Sequence, residues 1–101
     1  MILYNVTVKI NTEVHDNWLH WMKTIHIPDV METGLFKAYQ IAKVLGQNEE
    51  DGITYAIQYS CPDMKTLQEY SSKHAPKLQK EHTDRYDGKF VAFRTMLETV
   101  D

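Results

Sequence analysis

The chain writes the same order of elements twice. Residues 2–10 alternate, with Ile2, Tyr4, Val6, Val8 and Ile10 on one side and Leu3, Asn5, Thr7 and Lys9 on the other. That is the period-two pattern of a strand with one buried face. From Glu13 the period lengthens, and Val14, Trp18, Trp21 and Ile25 form one stripe of an amphipathic helix. A second alternating run follows at Ile53, Tyr55, Ile57, Tyr59 and Cys61, then a second helical stripe at Leu67, Tyr70, His74, Leu78 and His82. His-x-Pro occurs in both halves, at His26 and at His74, 48 residues apart, while the preceding strands begin 51 residues apart. Two independent offsets that agree describe a repeated βαβ unit, which predicts an α+β, ferredoxin-like split βαβ fold.

The remaining elements complete the order strand, helix, strand, strand, helix, strand. Leu35–Leu45 reads as the second strand, and the polar run Gln47–Gly52 as a hairpin into the third. Proline cannot continue a helix ladder, so His26-Ile27-Pro28 is expected to interrupt the first helix and His74-Ala75-Pro76 to break the second. Pro28 can open a further short turn that Gly34 closes. Lys89–Val100 reads as a fourth strand, apolar on both faces at Val91-Ala92-Phe93, and so is expected at the centre of the sheet. The expectation is a four-stranded antiparallel sheet with two helices on one face, in one domain spanning residues 1–101. The opposite face, with Asn5, Thr7, Lys9, Thr54, Ala56, Gln58 and Ser60, is small and polar. Packed against a second copy it gives a dimeric α/β barrel; otherwise it meets water.

Charge and composition exclude several classes of partner. A net charge of −3 argues against a nucleic-acid binder. No apolar run approaches the roughly 20 residues that cross a bilayer, so no membrane partner is expected. Cys61 is the only cysteine, which rules out an intramolecular disulfide or a multi-cysteine metal site. The first residues lack the cationic start and apolar run of a secretory signal. The cytoplasm is therefore the expected compartment.

Five histidines invite a metal reading, but no two lie three or four residues apart. His74 and His82 share a face, yet stand roughly 12 Å apart along a helix rising about 1.5 Å per residue. No metal and no cofactor are expected. His26 and His74 sit at equivalent points of the two halves, and imidazole titrates near neutral pH, so both are candidate general acids or bases. Tyr59 and Tyr70, with Tyr55, are candidate hydrogen-bond donors to a ligand between helices and sheet, and His82 shares their side. Arg94, within Phe93-Arg94-Thr95-Met96-Leu97, must find a carboxylate, backbone oxygens or an anionic ligand. It can clamp a ligand carboxylate or pair with an acidic residue, across a dimer interface if need be. Cys61, beside Tyr59 on the apolar face, reads as an inert buried thiol.

The blocks Tyr4-Asn5-Val6-Thr7-Val8, Trp18-x-x-Trp21-Met22-x-x-x-His26-Ile27-Pro28, Gly52-Ile53-Thr54-Tyr55-Ala56, His74-Ala75-Pro76 and Gly88-Lys89-Phe90-Val91-Ala92-Phe93-Arg94 resemble an uncharacterised bacterial family, a domain of unknown function about 100 residues long. The resemblance runs over nearly the whole chain. It implies a stand-alone cytoplasmic ferredoxin-like protein, with marked positions at His26, Pro28, His74, Pro76 and Arg94, and it implies no activity. More distantly the layout is similar to the dimeric α/β-barrel superfamily, whose members include cofactor-free monooxygenases, isomerases and haem-degrading enzymes. Two functions follow as expectations. One is a homodimer that binds a small aromatic or anionic molecule and acts on it by acid–base chemistry through His26 or His74, with Arg94 orienting it. The other is a non-catalytic structural or regulatory module whose sheet face serves assembly alone.

Overall fold

The first strand, β1 (Ile2–Asn11), lies inside a four-stranded antiparallel sheet. The computed structural model describes residues 1–101, and β1 pairs on one side with β3 (Gly52–Cys61) and on the other with β4 (Phe90–Glu98). The short strand β2 (Ala38–Lys43) pairs with β3, so the order across the sheet is β2-β3-β1-β4. The expected second strand is trimmed at both ends: Leu35 to Lys37 lead into it and Val44 to Gly46 leave it.

The alternation does what it predicts. Ile2, Tyr4, Val8 and Ile10 of β1 and Tyr55, Ile57, Tyr59 and Cys61 of β3 are buried under the helices, in one core. Burial of all these side chains is the main force holding the layers together. β4 corrects the reading. It is an edge strand, not a central one, paired with β1 alone, and its register turns Phe90, Ala92, Arg94 and Met96 to the helices and Val91, Phe93, Thr95 and Leu97 to the open face. Its second apolar face is therefore exposed: Val91 is 67% and Phe93 63% accessible.

Each expected helix is a pair of segments. After a tight turn at Thr12–Val14, α1 (His15–Trp21) passes through a wide π-type turn, Met22–His26, into α2 (Ile27–Glu32). Pro28 does not end the first helix. The Ile27 N–H reaches back five residues to the Met22 carbonyl, and the chain continues with Pro28 in the first turn of α2, where its missing N–H is harmless. The extra residue in this turn rotates the stripe. Ile25, expected in the core, is 47% exposed, while Met22, Ile27 and Val30 are buried and His26 turns inward to line a cavity. In the second half, Asp63 caps α3 (Met64–Lys73) by accepting from the Thr66 N–H at 2.8 Å. His74, with φ −122°, breaks it from α4 (Ala75–Tyr86), as the His-x-Pro predicts. Gly88, at φ +73°, then takes the left-handed turn that ends the helical layer and lets the chain enter β4 at Phe90.

Candidate functional site

The kinks leave a cavity between the sheet and the helices. Its floor comes from β1, β3 and β4 through Tyr4, Val6, Val8, Ile57 and Tyr59, with Phe90, Ala92 and Arg94 along the edge. Its roof comes from Met22 and His26 of the π turn, Val30, Tyr70, and Leu78 and His82 of α4. The volume is about 40 Å³, room for about three water-sized groups. Most of the lining is apolar.

Five of the six candidate residues meet here: His26, His82, Tyr59, Tyr70 and Arg94. His74 does not. It stands over the break between α3 and α4, its ring stacked on Tyr70 at 6.3 Å, and lines a separate surface groove among Asp29, Lys73 and Glu81. The two His-x-Pro motifs are equivalent in sequence and different in space. The π turn carries one inward, and the break in the second helix leaves the other at the surface.

His82 is held rigidly. The Trp18 indole, which can only donate, places its Nε1–H on His82 Nε2 at 2.9 Å. The ring must therefore be neutral, with its proton on Nδ1. Phe90 meets it edge-on at 4.4 Å, and the His26 ring lies 5.7 Å away. Burial, then His26, then the Arg94 charge push the His82 pKa down to about 4. His26 packs on Trp21 at 5.1 Å, and its Nδ1 is buried with no hydrogen-bond partner. Its pKa is also about 4: burial drives it down, Asp29 opposes, and Arg94 adds to the depression. Both imidazoles are uncharged at neutral pH; His82 Nε2 is occupied by the Trp18 N–H, so His26 is the ring with a nitrogen left to exchange a proton.

Arg94 lies on the exposed edge strand and makes one side-chain hydrogen bond within the chain. No carboxylate of the chain pairs with it. Its Nε–H donates to the Tyr4 hydroxyl at 3.1 Å, and as an edge residue it stays exposed at the cavity mouth. Tyr4 is the site residue that sequence reasoning missed. Counted as core, it sits on the same face as Arg94 on the neighbouring strand, a signal that becomes readable only once the β1–β4 register is known. Burial raises the phenol pKa of Tyr59 and of Tyr70, so both stay protonated, and neither hydroxyl is engaged in a hydrogen bond within the chain. Tyr55 points elsewhere, its hydroxyl 2.8 Å from His15 Nε2. Cys61 is fully buried and its thiol pKa is raised, first by burial, the inert state read from its neighbours. No three His, Cys, Asp or Glu side chains are placed to share a metal ion.

The fold has many relatives of distant sequence. An antibiotic biosynthesis monooxygenase is similar at 15% identity and TM-score 0.65, with all of both chains covered. A dimeric ferredoxin-like protein from an uncultured marine organism matches at 14% identity and TM-score 0.68, over 100% of this chain and 96% of that one. A substituted MhuD, with two manganese protoporphyrin IX molecules bound per active site, matches at 13% and TM-score 0.70, over 99% and 95%. At such identities the likeness concerns the fold, which is ferredoxin-like. No curated protein matches the chain. The profile of one family covers residues 1–100, and the chain belongs to that family, the domain of unknown function DUF4286.

Proposed function

We propose that this chain works as a homodimer, in the cytoplasm, that holds a small molecule in the cavity between sheet and helices, with His26 as the base and Arg94 as the orienting group. The convergence of His26, His82, Tyr59, Tyr70 and Arg94 on one cavity carries this reading. Buried polar groups of a purely structural core are satisfied by one another. Here the buried His26 Nδ1 has no partner, and around it both phenol hydroxyls and most of the exposed Arg94 guanidinium make no hydrogen bond within the chain. Neutral His26 beside a fixed cation can take a proton from a ligand whose developing negative charge Arg94 stabilises. The volume supports a compact ligand over an aromatic one, since a cavity of roughly 150 Å³ is the scale that admits benzene. A porphyrin, far larger than benzene, does not fit a cavity of about 40 Å³ either.

The second copy is supported by the open sheet face, where exposed Val91, Phe93 and Leu97 flank Asn5. Asn5 is only 8% accessible, and its Oδ1 has no partner. A dimeric ferredoxin-like neighbour supports the same arrangement. The free, buried thiol of Cys61 fits a reducing compartment.

The competing reading is an assembly module without chemistry. It draws on that same face and on the internal Trp18–His82 pair. Native mass spectrometry of the protein purified gently from cells separates the two. The expected result is a dimer carrying extra mass that His26→Gln or Arg94→Gln releases, with the dimer intact. A bare dimer, with both substitutions lowering only the melting temperature, overturns the ligand reading in favour of assembly.

A further inference from the structure

The polar groups around the cavity are unbalanced in a way that names the ligand. The lining carries one fixed cation, Arg94, and no carboxylate. Once its Nε–H is given to Tyr4, Arg94 keeps its two NH2 groups without a protein partner. The Tyr59 and Tyr70 hydroxyls add two more potential donors, and His82, whose Nε2 is taken by Trp18, adds its Nδ1–H. Against these, the side-chain acceptors in the lining are imidazole and phenol lone pairs and the amide oxygen of Gln79, which also brings an NH2 donor. Donors in the lining thus outnumber acceptors, and the exposed guanidinium is the charged one among them. A planar anion with several lone pairs satisfies such a set, and a fork of N–H groups suits a carboxylate. Behind the mouth the walls turn apolar, at Val8, Ile57, Leu78 and Phe90. The space there holds about three water-sized groups, which limits the tail to a few carbons.

We propose that the cavity is a site for short-chain monocarboxylates, the carboxylate lying against Arg94 at the mouth and an aliphatic tail of about three carbons lying inside. This rests on the reading of the cavity as a small-molecule site and gives that site its ligand class. A dicarboxylate has no second cation to meet. A long-chain acid has no room. An alcohol of the same length fills the tail space and leaves Arg94 unpaired.

The test is a titration of the whole protein, followed by NMR of the His26 and His82 ring signals, with butanoate, octanoate, succinate and n-butanol as probes. Butanoate is expected to saturate these shifts and to bind at least about tenfold more tightly than n-butanol, the value of a charge-assisted contact. Arg94→Gln is expected to remove that preference and Arg94→Lys to restore part of it. Arg94 is exposed at a sheet edge, so both variants should fold, and the amide spectrum verifies this. Equal binding of butanol and butanoate, or butanoate affinity unchanged in Arg94→Gln, overturns the carboxylate assignment while leaving a small-molecule cavity. Tighter binding of octanoate overturns the length limit. Shifts from none of the four probes overturn the carboxylate class, while the small-molecule reading falls only with a bare dimer in native mass spectrometry.

Discussion

Trp18 and His82 show how much one hydrogen bond fixes. Each is buried, and the indole N–H has no acceptor but His82 Nε2. His82→Leu should therefore cost about 1–3 kcal/mol in urea unfolding, since it strands a buried donor. Adding Trp18→Phe should recover part of that loss rather than add to it, the mark of a coupled pair. The imidazoles also set a pH dependence. In the folded chain His26 and His82 titrate near 4, against 6.5 for a free ring. Above pH 6.5 both states hold the rings neutral and the stability is fully present. As pH falls from there towards 4, only the unfolded chain takes up protons, so stability is lost, by about 3 kcal/mol for one ring. Because the rings face each other, the second contributes through the first. Unfolding curves across that window should slope more gently in His26→Leu than in the wild type.

At the scale of elements, the π turn is the most consequential local feature. It inserts one residue between Trp21 and Ile27 without losing the helical path, and so faces His26 into the cavity. Deleting exposed Thr24 should restore a regular α-helix with the same residues inward. Pro28 would then sit in a helix interior, at a cost of about 3 kcal/mol, and Pro28→Ala in the deleted chain should recover most of it. Thermal unfolding of the two chains checks this. The feature also explains what was legible. Strand periodicity is local, because alternate side chains face alternate sides whatever the partner, so β1 and β3 and their buried faces could be read directly. The π turn could not. Pro28 reads as a stop in any one-dimensional pattern, and whether the chain breaks or widens there depends on the packing of Met22, Ile27 and Val30. The edge position of β4 was hidden for a related reason: an exposed apolar face and a buried one spell the same residues. His26, His82 and Arg94 were legible as chemistry, while their meeting place, and the absence of His74 from it, needed the tertiary fold.

The whole molecule is a two-layer sandwich, helices over sheet, with its second sheet face uncovered. If a second copy covers it, Phe93→Lys should shift the protein to monomer in sedimentation, because two ammonium groups would have to be buried together. Stability of the single chain should barely change, since Phe93 is mostly exposed there. The edge strand has one more consequence. β4 is hydrogen-bonded to β1 alone, with no strand on its other side, and it carries the cavity's fixed cation. Edge elements open more readily than the centre of a sheet, through local unfolding that leaves the rest folded. Each such opening of β4 would carry Arg94 away from the floor and dismantle the mouth. A carboxylate gripped by Arg94 is then also a clasp on the strand. Amide hydrogen exchange in residues 90–98 should slow when butanoate binds, more than in β3, and should not slow in Arg94→Gln. Occupancy of the cavity would in that way be written into the persistence of the strand furthest from β2, where the same exchange should stay unchanged.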